Sequence, residues 1–293
     1  MIPAAVDYYR PESLTDALAA LATEDSKILA GGHSLIPLMK LRLARPSVLI
    51  DICRVLPAGV QVTPEGGARI GAFTTWRDIA TAPGLGGCYS ALRSCAGSIG
   101  DVQVRNRGTI GGGLCHADPA ADIHAPALAL GATVAVTSAD GKRNEQFDGF
   151  VIGPFEPRIG PQDIATWVSL PAQPPGAGSA YEAVNDAASG YPVSGAAALV
   201  LVREGRITGC RIGLTGVSST PFRPLEAEQA VLGWNASKGW EDLPARVRSV
   251  CDGVRVLADR SAAADYRAAM ARLVTARAVR RAYEEATNPG GAR

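Results

Sequence analysis

A chain of 293 residues, 47% apolar and 19% charged, is long enough for more than one core and has the make-up of an ordinary globular protein. A formal net charge of +1, with five Phe and four Trp scattered along the chain, gives no electrostatic or stacking case for a nucleic acid or an anionic membrane surface. The longest apolar stretch, near residues 193–202, is too short to span a bilayer, and the first residues lack a basic, apolar leader pattern, so a cytoplasmic protein is expected.

Near the start, Ser13 opens a capping-box-like helix in which Leu14, Ala17, Leu18 and Leu21 recur at helical spacing. Residues 27–30 read as a short strand ending in a glycine turn made of Ala30, Gly31, Gly32, His33, Ser34 and Leu35. Residues 35–43 have helical spacing with Pro37 suited to a first turn, and 48–52 read as a buried strand. This first lobe, residues 1–54, sets a glycine turn between a strand and a helix, where partial positive charge favours a phosphate.

A second lobe, residues 55–172, carries a strand at 69–72 and helices at 75–80 and 89–96. A second glycine turn follows at 108–113, containing Thr109, Ile110, Gly111, Gly112 and Gly113, then an apolar helix at 123–130 and a strand at 133–137. Asp140-Gly141 is a turn signal, and 167–171 reads as the closing strand. The Pro- and Gly-rich residues 171–178 form a linker. Beyond it, in 179–288, residues 195–202 and 206–214 predict antiparallel strands joined at Glu204-Gly205, 226–285 are largely helical by spacing, and 290–293 look like a disordered tail. An Arg-rich face (Arg267, Arg272, Arg277, Arg280, Arg281) near the end is a docking surface or simply solvated.

Glycine lets a ligand approach main-chain N–H groups, and successive N–H groups form a concave nest for an anion. One such turn does no more than reverse a chain as often as it binds anything; two suggest a diphosphate gripped from two sides. The N–H groups of residues 31–34 supply one set of donors and those of 110–113 the other, with the Ser34 and Thr109 hydroxyls in addition, each bond worth about 1.5–3 kcal/mol. The six cysteines show no C-x-x-C pair and read mostly as buried thiols, and Cys115, His116 and His124 match no common zinc spacing.

The runs 27–40 and 101–113, with the following His116, Ala117, Asp118, Pro119, Ala120, Ala121 and Asp122, closely resemble the FAD-binding medium subunit of the molybdenum hydroxylases, the family of carbon monoxide dehydrogenase and the xanthine dehydrogenases. The resemblance runs from Ile2 to about Ala286. It implies an α+β fold: a two-lobed FAD-binding domain (PCMH-type) followed by a smaller α+β C-terminal domain of antiparallel strands and helices. It implies an oxidoreductase subunit that carries FAD, takes electrons from a small [2Fe-2S] subunit, and passes them to an external acceptor. A large subunit holds the molybdopterin cofactor, and the assembly is a dimer of heterotrimers. A self-sufficient flavin oxidase and a non-catalytic assembly scaffold are the alternatives.

By the same resemblance, Asp122 contacts FAD, with a ribityl or ribose hydroxyl as the sensible partner; a carboxylate at a helix start is its plain structural role. Tyr191 matches an aromatic position beside the flavin ring, and Ile99 and Ile164 match apolar positions at the cofactor, although core packing explains an isoleucine as well. The chain departs from the family at Ala183, Asp186 and Gly190, where relatives commonly have Lys, Arg and Asp, and at Gly113, where Asn or Ser is usual. Loss of the two basic groups removes positive potential near the flavin.

Overall fold

The computed structural model describes residues 2–236 and 239–288; the tail at 290–293 lies outside them. The first lobe is a parallel sheet of β1 (Asp7–Tyr9), β2 (Ser26–Leu29) and β3 (Val48–Asp51) in the order β1-β3-β2. Helix α1 (Leu14–Leu21) begins where the Ser13 hydroxyl accepts from Asp16 N at 3.0 Å, and it buries Ala17 and Leu21 against Ile50 and Ile52. At the carboxyl edge of this sheet β2 runs into the first glycine turn, and α2 (Leu35–Lys40) leaves it.

The second lobe is an antiparallel sheet of β4 (Val60–Val62), β5 (Ala68–Gly71), β6 (Thr133–Ser138), β7 (Gly141–Gln146) and β10 (Ile164–Leu170), ordered β4-β5-β10-β6-β7. The strand expected to close the lobe therefore lies in its centre, paired on both sides, which fits its nearly continuous burial. A small hairpin, β8 (Val151–Gly153) and β9 (Glu156–Pro157), and helices α3 (Trp76–Thr81), α4 (Ser90–Ser98), α5 (Val102–Arg107), α6 (Ile110–His116) and α7 (His124–Ala129) complete it. One core cluster joins these helices to the sheet and reaches Tyr181, Ala197 and Leu199 beyond the linker.

The C-terminal domain is a meander of β11 (Ala177–Asn185), β12 (Pro192–Arg203) and β13 (Arg206–Thr215) with α8 (Leu225–Ala230), α9 (Leu243–Arg246) and α10 (Ala264–Thr287). The broad helical region expected at 226–285 is interrupted: residues 247–263 form no α-helix. On the Arg-rich face of α10, Arg272, Arg277, Arg280 and Arg281 are exposed, and Arg267 is the exception. Arg267 is 3% exposed and donates to Val193 O at 2.7 Å, to Gly216 O, to Leu257 O and to Asp259. Arg272 donates to Arg248 O, Arg280 to Glu284 and Arg281 to Glu182. Spacing along a helix does not reveal carbonyls brought in from other strands.

The seam between the domains is close-packed. An ideal Cβ on Gly213 of β13 would sit 2.2 Å from Ala125 O, so strand and α7 touch backbone to backbone. Arg211 donates to Leu128 O and Ala129 O, and Ala91 N donates to the Ser179 hydroxyl at 3.0 Å.

Candidate cofactor site

The two glycine segments meet. An ideal Cβ on Gly31 would lie 2.3 Å from Arg107 O and 2.8 Å from Gly108 Cα, a contact that any side chain would break. An ideal Cβ on Gly112 lies 3.8 Å from the Ala30 methyl, and the His33 ring donates from Nε2 to Gln103 O at 3.1 Å. Gly32, at φ +77°, turns the chain in the left-handed region between Gly31 and His33. Thus the turn after β2 lies against the end of α5 and the start of α6.

The N–H groups at the two segments have opposite fates. Among the described residues, those of 31–34 find no acceptor in the protein, while the carbonyls of Gly32 and Ser34 accept from Ile36 N and Leu38 N as α2 begins. Ser34 stands at the helix N-cap without a side-chain cap bond, so its hydroxyl is also uncommitted. In the second segment Ile110 N donates to Thr74 O, Gly111 N to Ala72 O and Gly113 N to Thr109 O, at 2.9–3.0 Å, and Gly112 N donates to the Thr109 hydroxyl at 3.2 Å. The expectation of a second anion nest at 110–113 is therefore corrected. These residues form the capped first turn of α6, and Thr109 and Ile110 are 2% and 1% exposed.

The glycines there serve packing. Ideal Cβ atoms on Gly108 and Gly113 would lie 2.6 Å from the Trp76 ring, and one on Gly111 would lie 2.8 Å from Ala72 O. Trp76 occupies the space that a side chain at Gly113 would need. Gly112, exposed on the same turn, is the part of the motif that faces outward.

Asp122 is 7% exposed and accepts from the Tyr181 hydroxyl at 2.7 Å through Oδ1. Burial pushes its carboxyl up to about 6; the Tyr181 bond pulls down and the nearby Asp118 carboxylate adds to the rise. Because folding raises this value, ionised Asp122 costs stability above pH 6, and the cost is relieved as pH falls toward the ordinary carboxylate range. Tyr191, 48% exposed, lies within the field of both Asp118 and Asp122; burial and then these charges raise its phenol. Its loop is held by Asp186, whose carboxylate accepts from Ala188 N and Ser189 N at 3.1 and 2.8 Å and so builds a turn.

Ile99, half-buried at the end of α4, packs on the second-lobe core. Ile164 does not reach a surface: it is 1% exposed among Ala17, Leu21, Ile50 and Ile52, in the core of the first lobe, which corrects its expected place at the cofactor. His124 is 0% exposed, 5.5 Å from the Phe147 ring, and burial pushes it down to about 4, so it is a neutral core residue. Sequence reasoning missed Tyr181, Trp76 and Thr215; each acts across a sheet or lobe, and no local motif marks it.

Residues 4–173 match the family described as the FAD binding domain in molybdopterin dehydrogenase, and residues 179–282 match the CO dehydrogenase flavoprotein C-terminal domain. The chain belongs to the family of FAD-carrying medium subunits of molybdenum hydroxylases. It is 35% identical to the carbon monoxide dehydrogenase medium chain of Afipia carboxidovorans, covering 98% of this chain and 100% of that one. The solved carbon monoxide dehydrogenase of Hydrogenophaga pseudoflava superposes with a TM-score of 0.91 at 35% identity, over 97% of this chain and 99% of the other. Quinoline 2-oxidoreductase of Pseudomonas putida 86 gives 0.90 at 27% identity, over 98% and 99%. The first turn has the donors that a diphosphate needs: among the described residues its four adjacent N–H groups have no acceptor, and glycine at 31 keeps them against the second lobe.

No described helix is long and apolar enough to cross a membrane.

Proposed function

We propose that this chain is the electron-transfer flavoprotein subunit of a multi-subunit molybdenum hydroxylase. It takes electrons from a small [2Fe-2S] subunit and passes them to an external acceptor, in a cytoplasmic dimer of heterotrimers whose large subunit holds the molybdopterin cofactor. The observation that carries this reading is the set of free N–H groups at residues 31–34, in a chain alike in length and fold to medium subunits. Bound FAD supplies one- and two-electron chemistry; the protein supplies binding, orientation and electrostatics.

In this reading the N–H groups of Gly31, Gly32, His33 and Ser34, with the Ser34 hydroxyl, hold the diphosphate, and Ala30, Leu35 and Gly112 wall the site. Asp122 accepts from a sugar hydroxyl, and Tyr191 and Ile99 shield the ring system from water. Each charge-assisted bond to the diphosphate contributes about 1.5–3 kcal/mol.

The test is purification through a tag on this chain from its native host, followed by absorption spectroscopy and mass analysis. Flavin bands together with iron–sulfur absorption and two co-purifying chains are expected. Flavin on a solitary chain that oxidises an organic substrate overturns the subunit role in favour of a self-sufficient oxidase. A chain that retains no flavin even after saturation with FAD overturns the cofactor assignment.

A further inference from the structure

A buried polar contact joins Asp122 to the C-terminal domain. Tyr181 of β11 is 5% exposed, and its hydroxyl reaches Asp122 Oδ1 at 2.7 Å. Gly195 on β12 makes room for it: an ideal Cβ there would lie 2.5 Å from the Tyr181 hydroxyl oxygen. From β13 the Thr215 hydroxyl lies 2.8 Å from Ala121 O and 3.1 Å from Pro119 O, and Gly216 N donates to Pro119 O at 2.8 Å. Strands β11 and β13 thus grip residues 119–122.

The groups facing Asp122 are Tyr181 from β11, Cys95 from α4, Tyr191 from the loop before β12 and Asp118 from its own segment. Among the described residues the charged neighbour acting on it is the like-charged Asp118. A carboxylate so placed relies on hydrogen bonds to stay ionised, and Tyr181 is the side chain that supplies one.

We propose that Tyr181 is a positioning residue of the FAD site: its hydroxyl fixes the orientation of the Asp122 carboxylate and keeps it ionised, so that the C-terminal domain takes part in cofactor retention. The inference rests on the assignment of Asp122 to a sugar hydroxyl. A phenol donating to a carboxylate favours the ionised form, so its removal raises the pH at which Asp122 titrates and weakens FAD as pH falls.

The experiment uses the full chain carrying Tyr181→Phe, Asp122→Asn or both. FAD affinity is measured by fluorescence quenching across pH, and the Asp122 carboxyl carbon is followed by NMR in the FAD-free protein. Tyr181→Phe is expected to weaken FAD about ten-fold at pH 7.5 and to move the Asp122 midpoint up by about one unit. Added to Asp122→Asn, it is expected to cost nothing further. An unchanged midpoint and unchanged affinity in Tyr181→Phe, with Asp122→Asn still weakening FAD, overturns the positioning role and leaves the Asp122 contact standing. Unchanged FAD affinity in Asp122→Asn overturns both. Should Tyr181→Phe fail to fold, 3-fluorotyrosine at position 181 keeps the packing and strengthens the donor; a downward shift of the midpoint supports the proposal and an unmoved one overturns it.

Discussion

The two glycine segments of the first domain are alike in composition and opposite in use. At residues 31–34 the N–H groups have no acceptor among the described residues, and glycine at 31 lets the chain press against the Arg107–Gly108 peptide. At 108–113 glycine makes room for Trp76 and Ala72, and every N–H from 110 to 113 is already bonded within the protein. A glycine-rich turn becomes an anion site through what its amides lack. What they lack is decided by carbonyls elsewhere in the fold.

The largest effect that tests this contrast is expected at Gly31. A Gly31→Ala methyl meets backbone, which cannot rotate away; the variant should lose about 3 kcal/mol of stability and at least about 100-fold in FAD affinity, measured by denaturant unfolding and fluorescence titration. A Gly31→Ala protein with native stability and FAD affinity breaks the comparison at its root. At Gly113 the methyl meets a tryptophan ring, so Gly113→Ala should cost about 2 kcal/mol, and less than half of that in a Trp76→Leu background. FAD affinity of the folded protein should stay near that of the parent; a cost in affinity undiminished by Trp76→Leu would return Gly113 to the ligand site.

Asp122→Asn asks whether the contact lies in the segment beyond the second glycine run. Relief of a buried charge should stabilise the FAD-free chain by about 2–3 kcal/mol above pH 7, with the gain vanishing toward pH 4, while FAD binds more weakly. Thermal unfolding across pH reads the first effect. The smallest effects separate two hydroxyls at helix starts. Thr109→Val should cost about 1 kcal/mol of stability with little change in FAD affinity, because Thr109 caps α6. Ser34→Ala should leave stability within about 0.5 kcal/mol yet weaken FAD about five-fold, since its hydroxyl caps nothing.

The first half of this contrast was legible in the sequence. An apolar run into Gly31-Gly32 and out into helical spacing dictates a strand, a turn and a helix, and Ser13 announced α1 through a cap that is local by nature. The second half was not legible, because the acceptors that consume the 110–111 amides are Thr74 O and Ala72 O, carried in by the turn between β5 and α3. For the same reason Tyr181 gave no signal beside Asp122, Arg267 read as a surface residue rather than a bolt through three segments, and nothing local decided between a cofactor contact and core packing at Ile164. Periodicity reports which face of an element is apolar; partnership across sheets needs the tertiary register.

The grip of β11 and β13 on residues 119–122 also bears on how the protein is made. Translation delivers the whole first domain before Tyr181 and Thr215 leave the ribosome, so Asp122 stands without its phenol donor until the meander has paired. On the proposed assignment of Asp122 to FAD, a chain arrested in the proline-rich linker carries a half-built pocket instead of a smaller working one.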